Sequence, residues 1–248
     1  MVYQGSKNRI SKFLVPIIQK YIDDNNIKNY IEPMCGSCSI IEKIKCENKI
    51  AADVNDELIA LLRYVKSDPF LSIAPHDCNF EHYSEVRENR KQNTEKYSKE
   101  YTALIGYCAS YGGRYFDGGF ARNSRTADRN SSTIKYRNNL KNLKSQALHL
   151  KDITFMCCDY KKFADYKDCL FYFDPPYKGT KQYSIQNINY DEFYDFLRQL
   201  SQNNIVLVSE YNMPNDFKCI WQRERNVQQK SDRVAAEKAT EKLFIYNG

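Results

Sequence analysis

The 248-residue sequence predicts an α/β fold on a largely parallel sheet, interrupted by one long insertion. Three observations predict it. The chain opens strand, helix, strand, helix, the order of a parallel α/β sheet. That rhythm stops at residue 67 and is absent for more than eighty residues. Apolar strands then resume, and Cys169-Leu-Phe-Tyr-Phe173 is apolar at every position, as burial on both sheet faces demands.

The elements follow in chain order. Ile10, Phe13, Leu14, Ile17, Ile18 and Tyr21 are spaced three and four apart, which predicts an amphipathic helix over 8–23 with Pro16 near its middle. Asn29–Pro33 reads as a strand entering a turn. Ser37 is placed to cap a helix running through Lys45. Lys49–Asp53 is a second short strand, and Asp56–Tyr64 a second helix. In the insertion, a charged helical pattern spans 82–111. A loop rich in Gly, Arg, Ser and Asn spans 112–133, and a further helical pattern spans 134–148. Later strands are expected at Ile153–Met156, Leu170–Phe173, Ile205–Ser209, Phe217–Trp221 and Lys242–Tyr246, with a helix at Asp191–Ser201.

Composition narrows the class. Hydrophobic residues at 42% and charged residues at 27% fit a folded globular chain and exclude a disordered one. The longest apolar run, Phe13–Ile18, is six residues and contains Pro16. It is too short for a membrane span and poorly flanked for a signal peptide, so no membrane partner is expected. Nine cysteines are an odd count for a disulfide framework, and a chain of this size needs no such staples. Cys35-x-x-Cys38 has no second pair to complete a zinc site, so no metal is expected.

The net charge of +6 is local. Between Tyr111 and Ser145 lie Arg114, Arg122, Arg125, Arg129, Lys135, Arg137, Lys141 and Lys144, opposed only by Asp117 and Asp128. This segment equals the whole excess. A concentrated basic patch is the electrostatic footprint of a polyanion, although a solvated basic face has the same composition.

Chemistry concentrates at Asp174-Pro175-Pro176-Tyr177, directly after the apolar strand. Strand carboxyl ends are where parallel α/β sheets gather functional groups. The two prolines fix the backbone and remove two N–H donors, so carboxylate and carbonyl acceptors cluster beside an aromatic ring. That set suits an amino group on a planar base, with Tyr177 stacked on it. Glu32-Pro-Met34-Cys-Gly36-Ser-Cys38 forms the first strand-to-helix turn, where Gly36 permits a tight bend and a helix N-terminus would face an acidic ligand. Asp53 ends the second strand, placed either for the two hydroxyls of a ribose or as a helix cap.

In this order the motifs resemble the Dam-like class of DNA adenine-N6 methyltransferases, over nearly the whole chain. The resemblance implies a Rossmann-like sheet with helices on both faces, with S-adenosyl-L-methionine (AdoMet) as cofactor. It implies a catalytic domain from 1–66 and 150–248 and a target-recognition insertion at 67–149. Tyr3 and Lys7 look like the N-terminal cofactor motif, Glu32, Met34 and Gly36 the glycine-rich loop, and Asp53 the acidic motif. Asp174, Pro175 and Tyr177 match the catalytic tetrapeptide, Asp174 also lying beside the cofactor. The implied partner is double-stranded DNA, contacted by Arg114, Tyr115, Phe116, Arg122, Arg125 and Arg129. A cognate restriction enzyme and the oligomeric state are left open.

The chain departs from the family at Cys38, where a second glycine is usual. Ser110–Arg122 matches the DNA-contact loop only loosely, so no target sequence carries over. No proline precedes a cysteine, so the Pro-Cys nucleophile of cytosine-C5 enzymes is absent. The same acceptor cluster fits an RNA adenine or a cytosine N4 amine, and a silent DNA-binding regulator would keep the same fold.

Overall fold

Apolar spacing and capping residues set the helices of the protein, whose computed structural model describes residues 1–121, 131–178, 188–226 and 238–247. Helix α1 (Ser11–Asp24) follows a 3-10 turn at Lys7–Arg9 and holds Pro16 inside it. Leu14, Ile18 and Ile22 form its buried face. Helix α2 (Asp56–Ser67) starts at Asn55, whose side chain accepts from the Leu58 N–H at 3.0 Å.

Among the described residues the sheet contains seven strands. They are β1 (Asn29–Glu32), β2 (Asn48–Asp53), β3 (Ile153–Cys157), β4 (Cys169–Phe173), β5 (Ile205–Glu210), β6 (Phe217–Asn226) and β7 (Lys238–Tyr246). Their order is β3-β2-β1-β4-β5-β7-β6. β1 runs parallel to both β2 and β4, and β4 parallel to β5, whereas β7 is antiparallel to β5 and to β6. The chain steps from β1 to β2 on one side and later enters β4 on the other. The order therefore reverses beside β1, and the carboxyl ends of β1 and β4 flank that switch point. All five residues of β4 are buried, which accounts for its unbroken apolar run.

Contacts divide the chain into two compact units. The first comprises Met1–Lys12, Gly36–Lys43 and Asn55–Cys157, the second Phe13–Cys35, Ile44–Val54 and Cys158–Gly248. In the first unit, the charged pattern expected over 82–111 is two helices, α3 (Phe80–Gln92) and α4 (Lys99–Ala109). Asn93 turns into the left-handed region at φ +53 and ends α3, and Ser98 caps α4. Every residue of α4 from Thr102 to Ala109 is buried. Helix α5 (Ser131–Ala147) covers the last helical pattern of the insertion.

Two expectations need correction. No α-helix follows β1; residues 33–47 contain only a 3-10 turn at Ile41–Lys43. Gly36 at φ +46 and Cys38 at φ +59 bend the backbone out of helical space where the helix was to begin. The last two strands are also longer than their apolar cores. The polar stretch Gln222–Asn226 pairs antiparallel with Lys238–Lys242, extending both strands past the point where alternation is legible. Helix α6 (Tyr190–Leu200) falls as expected before β5. Among the described residues no helix is long and apolar enough to cross a membrane.

Candidate active site

The second unit presents the tetrapeptide at the end of β4. Asp174 is half-buried, Pro175 buried and Tyr177 8% exposed. The Tyr177 hydroxyl donates to Glu241 Oε2 at 2.6 Å, and its ring meets Tyr211 edge-on at 4.4 Å. Burial, with the Asp174 and Glu241 charges beside it, pushes the Tyr177 hydroxyl well above its usual pKa and keeps it a donor. The Tyr190 hydroxyl donates to the Pro176 carbonyl. Glu210, at the end of β5, accepts from the Lys178 N–H at 3.2 Å and from the Tyr211 N–H at 2.7 Å. The residues after Lys178, up to 187, lie outside the described set.

Two more acids stand at neighbouring strand ends of the same unit. Glu32, the last residue of β1, is 3% exposed and accepts from the Tyr30 hydroxyl at 2.7 Å. Asp53 ends β2 half-buried, and its carbonyl accepts from the Cys158 N–H at 3.1 Å. The cap of α2 is Asn55, so the capping alternative for Asp53 is filled by another residue. Met34 is half-buried in the turn that follows β1.

The first unit brings Tyr3 and Gly36 together with Tyr107, which sequence reasoning missed. The Tyr3 and Tyr107 rings lie 5.5 Å apart, and Asn55 Nδ2 reaches the Tyr107 hydroxyl at 3.4 Å. A Cβ on Gly36 would sit 3.0 Å from Tyr3 Cε1, so the loop backbone rests on that ring. Lys7 is buried in the turn whose first N–H groups Ser6 caps. Ser37 caps no helix; its hydroxyl donates to Ser6 Oγ at 3.0 Å, and its carbonyl accepts from Gln146 Nε2 at 2.7 Å. The expected helix N-terminus is therefore not part of this loop.

Of the residues expected to contact DNA, Arg122, Arg125 and Arg129 lie outside the described residues. Arg114 is half-buried. Phe116 lies inside the first unit. It is 6% exposed and packs on Tyr83 at 5.2 Å, so it belongs to the core of the first unit. Tyr115 is engaged too: its hydroxyl donates to Glu57 at 2.7 Å, and its ring lies between Tyr107 at 4.5 Å and the Arg90 guanidinium at 4.9 Å. Gly113, at φ +67, holds its backbone against Val2, where a Cβ would meet the Val2 carbonyl at 2.7 Å. These glycines and aromatics fold the segment inward.

Among the described residues, no group of three or more His, Cys, Asp or Glu side chains is arranged to hold a metal ion. All nine cysteines are thiols, and Cys78 and Cys108 are each pushed up to about 12 by burial.

A parallel sheet with acids at the ends of β1, β2 and β4, and an Asp-Pro-Pro-Tyr turn at its switch point, defines an α/β amino-methyltransferase. The comparisons agree. The model of the D12 class N6 adenine-specific DNA methyltransferases matches residues 3–231, and the chain belongs to that family. Type II methyltransferase M.MjaIII of Methanocaldococcus jannaschii is 25% identical over 250 residues, covering 85% of this chain and 83% of that one. A DNA adenine methylase of Haemophilus influenzae is 28% identical over 63% of this chain and 58% of its own. Type II methyltransferase M.FokI of Planomicrobium okeanokoites is 21% identical over 91% of this chain and 38% of its own. The protein is an AdoMet-dependent enzyme that methylates N6 of adenine in DNA.

The half-buried Asp53 carboxylate is the acceptor type a ribose diol needs, and the Gly36 backbone on the Tyr3 ring forms a cradle that a side chain would fill.

Proposed function

We propose that the enzyme acts at a specific site in double-stranded DNA, on an adenine turned out of the helix and held by the tetrapeptide. In this reading the Asp174 carboxylate and the Pro175 carbonyl accept the two N–H bonds of the exocyclic amine. The observation that carries it is the engagement of the next carbonyl. Tyr190 donates to Pro176, which directs the substrate amine to Asp174 and Pro175. Tyr177, fixed at its hydroxyl and its edge, stacks on the base.

AdoMet, when bound, supplies the methyl group from its sulfonium. The residues of the chain align N6 with it, and alignment is the larger part of the catalysis. N6 sheds one proton as its bond to carbon forms, and Asp174 is the acceptor on that side. Extrusion of the base costs a few kcal/mol of stacking and pairing, which stacking on Tyr177 and the hydrogen bonds to Asp174 and Pro175 offset. Tyr3, Lys7, Glu32, Met34, Gly36 and Asp53 hold the cofactor, with Asp174 at its edge. The catalytic domain comprises 1–66 and 150–248, and the insertion 67–149 reads DNA through Arg114 and the basic residues that follow it. Two of the relatives are type II methyltransferases, which supports pairing with a cognate restriction enzyme.

Asp174→Ala should lower kcat for N6-methyladenine formation by about a thousandfold, the loss expected when a fixed electrostatic partner of the reacting group is removed. The measurement is incorporation of labelled methyl into DNA lacking the mark, with the product nucleoside identified. A rate near that of the wild type would overturn the assignment.

A further inference from the structure

Tyr177 could stack on a base as a phenylalanine, because stacking uses the ring face and not the hydroxyl. The hydroxyl has a different partner. It donates to Glu241, a carboxylate on β7 that is 3% exposed and 64 residues away in sequence. Burying a carboxylate costs several kcal/mol unless hydrogen bonds compensate it, so an acid inside a sheet at this point calls for a reason. The separation of 2.6 Å is that of a short O–H···O⁻ bond, the stronger kind.

Other contacts hold Tyr177 and its neighbours. Pro176 precedes it and is itself held by the Tyr190 hydroxyl. The N–H of the following residue, Lys178, is tied to Glu210. The ring edge lies against Tyr211 with the two planes at 76°. The bond to Glu241 restrains the swing of the ring about its own side-chain torsions. A stacked base must be held within a fraction of an ångström for N6 to meet the methyl group, and errors of that size cost rate steeply.

We propose that Glu241 is a positioning residue: by accepting the Tyr177 hydroxyl it locks the ring in the plane on which the extruded adenine stacks. The inference rests on the reading that Tyr177 stacks on the base, and the test separates the two. Five variants are compared for kcat and KM on DNA lacking N6-methyladenine, with thermal unfolding followed in parallel: Tyr177→Phe, Tyr177→Ala, Glu241→Leu, Glu241→Gln and the double Tyr177→Phe/Glu241→Leu.

Tyr177→Phe and Glu241→Leu should each lower kcat by about tenfold while KM for AdoMet stays unchanged. Glu241→Gln, which keeps an acceptor oxygen, should recover most of the loss seen with leucine. The double variant should be no slower than either single, because both remove one bond. Thermal unfolding of each variant shows whether a lost rate comes with a lost fold, and Glu241→Gln, the conservative change, keeps the test decisive where Glu241→Leu unfolds. Losses that multiply in the double variant, or a slow Glu241→Leu beside a Tyr177→Phe of wild-type rate, would overturn the proposal. If Tyr177→Ala is inactive while Tyr177→Phe and Glu241→Leu keep wild-type rates, the role of Glu241 fails and stacking stands. A fully active Tyr177→Ala would sink the stacking reading, and the role of Glu241 with it.

Discussion

At Gly36 and Cys38 the backbone enters the left-handed region twice within three residues, at φ +46 and φ +59. Glycine tolerates this freely, whereas cysteine does so at a cost of about 1 kcal/mol. The conformation of Cys38 is thus one that glycine adopts freely, and this chain keeps the turn with cysteine there. The two positions should respond oppositely to substitution. Gly36→Ala places a Cβ 3.0 Å from the Tyr3 ring at an unfavourable φ, and should weaken AdoMet binding by about tenfold in calorimetric titration. Cys38→Gly keeps the turn, and its AdoMet affinity should stay within about twofold of wild type. At this scale the sequence was legible where chemistry and position coincide. Asp174 follows an apolar strand, and Asp53 stands two residues before a better cap in Asn55. Glu241 and Tyr107 were not legible. Each is a single polar atom or ring in an unremarkable element, and its meaning comes from a partner distant in the chain, Tyr177 for one and Tyr3 for the other.

Helix α4 shows how an element can be read in place yet misjudged in role. The charged pattern over 82–111 marked helix correctly, but helical periodicity carries no sign of the break at Asn93, which a single left-handed residue makes. It also gave no sign that α4 is buried from Thr102 to Ala109 or that Tyr115 and Phe116 fold down onto it. Gly106 is the residue that admits them: a Cβ there would lie 2.5 Å from Tyr115. Gly106→Ala should therefore lower stability. The gain of about 1 kcal/mol in helix propensity is outweighed by overpacking of about 1–3 kcal/mol, as a urea titration would show. Helix α1 offers the opposite case. Pro16 is exposed in its interior, lacks the N–H for the i→i−4 bond and packs against little. Pro16→Ala should raise stability by about 1–3 kcal/mol in the same assay. The missing helix after β1 was a failure of capping logic. Ser37 has the right neighbours in sequence, but its hydroxyl and carbonyl are taken by Ser6 and Gln146.

For the whole molecule, the +6 excess resides in one segment of the insertion, and the rest of the chain is neutral. Part of that excess is engaged within the protein, as where Arg137 Nε pairs with Asp77 at 2.7 Å. DNA affinity should fall by about tenfold or more between low and physiological salt, through release of counterions from phosphates, while AdoMet affinity changes less than about twofold. Fluorescence anisotropy for DNA and calorimetry for the cofactor would check both. The largely parallel sheet and the long strand-free stretch between β2 and β3 could be anticipated from the alternation of strands and helices. The placement of β7 between β5 and β6 could not, because nothing local in an edge hairpin says which of its strands docks.

That placement has a consequence for the order in which the enzyme comes into being. β1 must wait for β4, some 140 residues further on, to complete its second ladder, since Asn29 lies opposite Cys169. β5 then has an open edge until β7, which follows β6 in the chain, has emerged. A ribosome-bound chain that already displays Asp53, Asp174 and Tyr177 therefore still lacks the strand that pairs with β5. A chain truncated before β7 should therefore form no N6-methyladenine, which incorporation of labelled methyl into DNA would check.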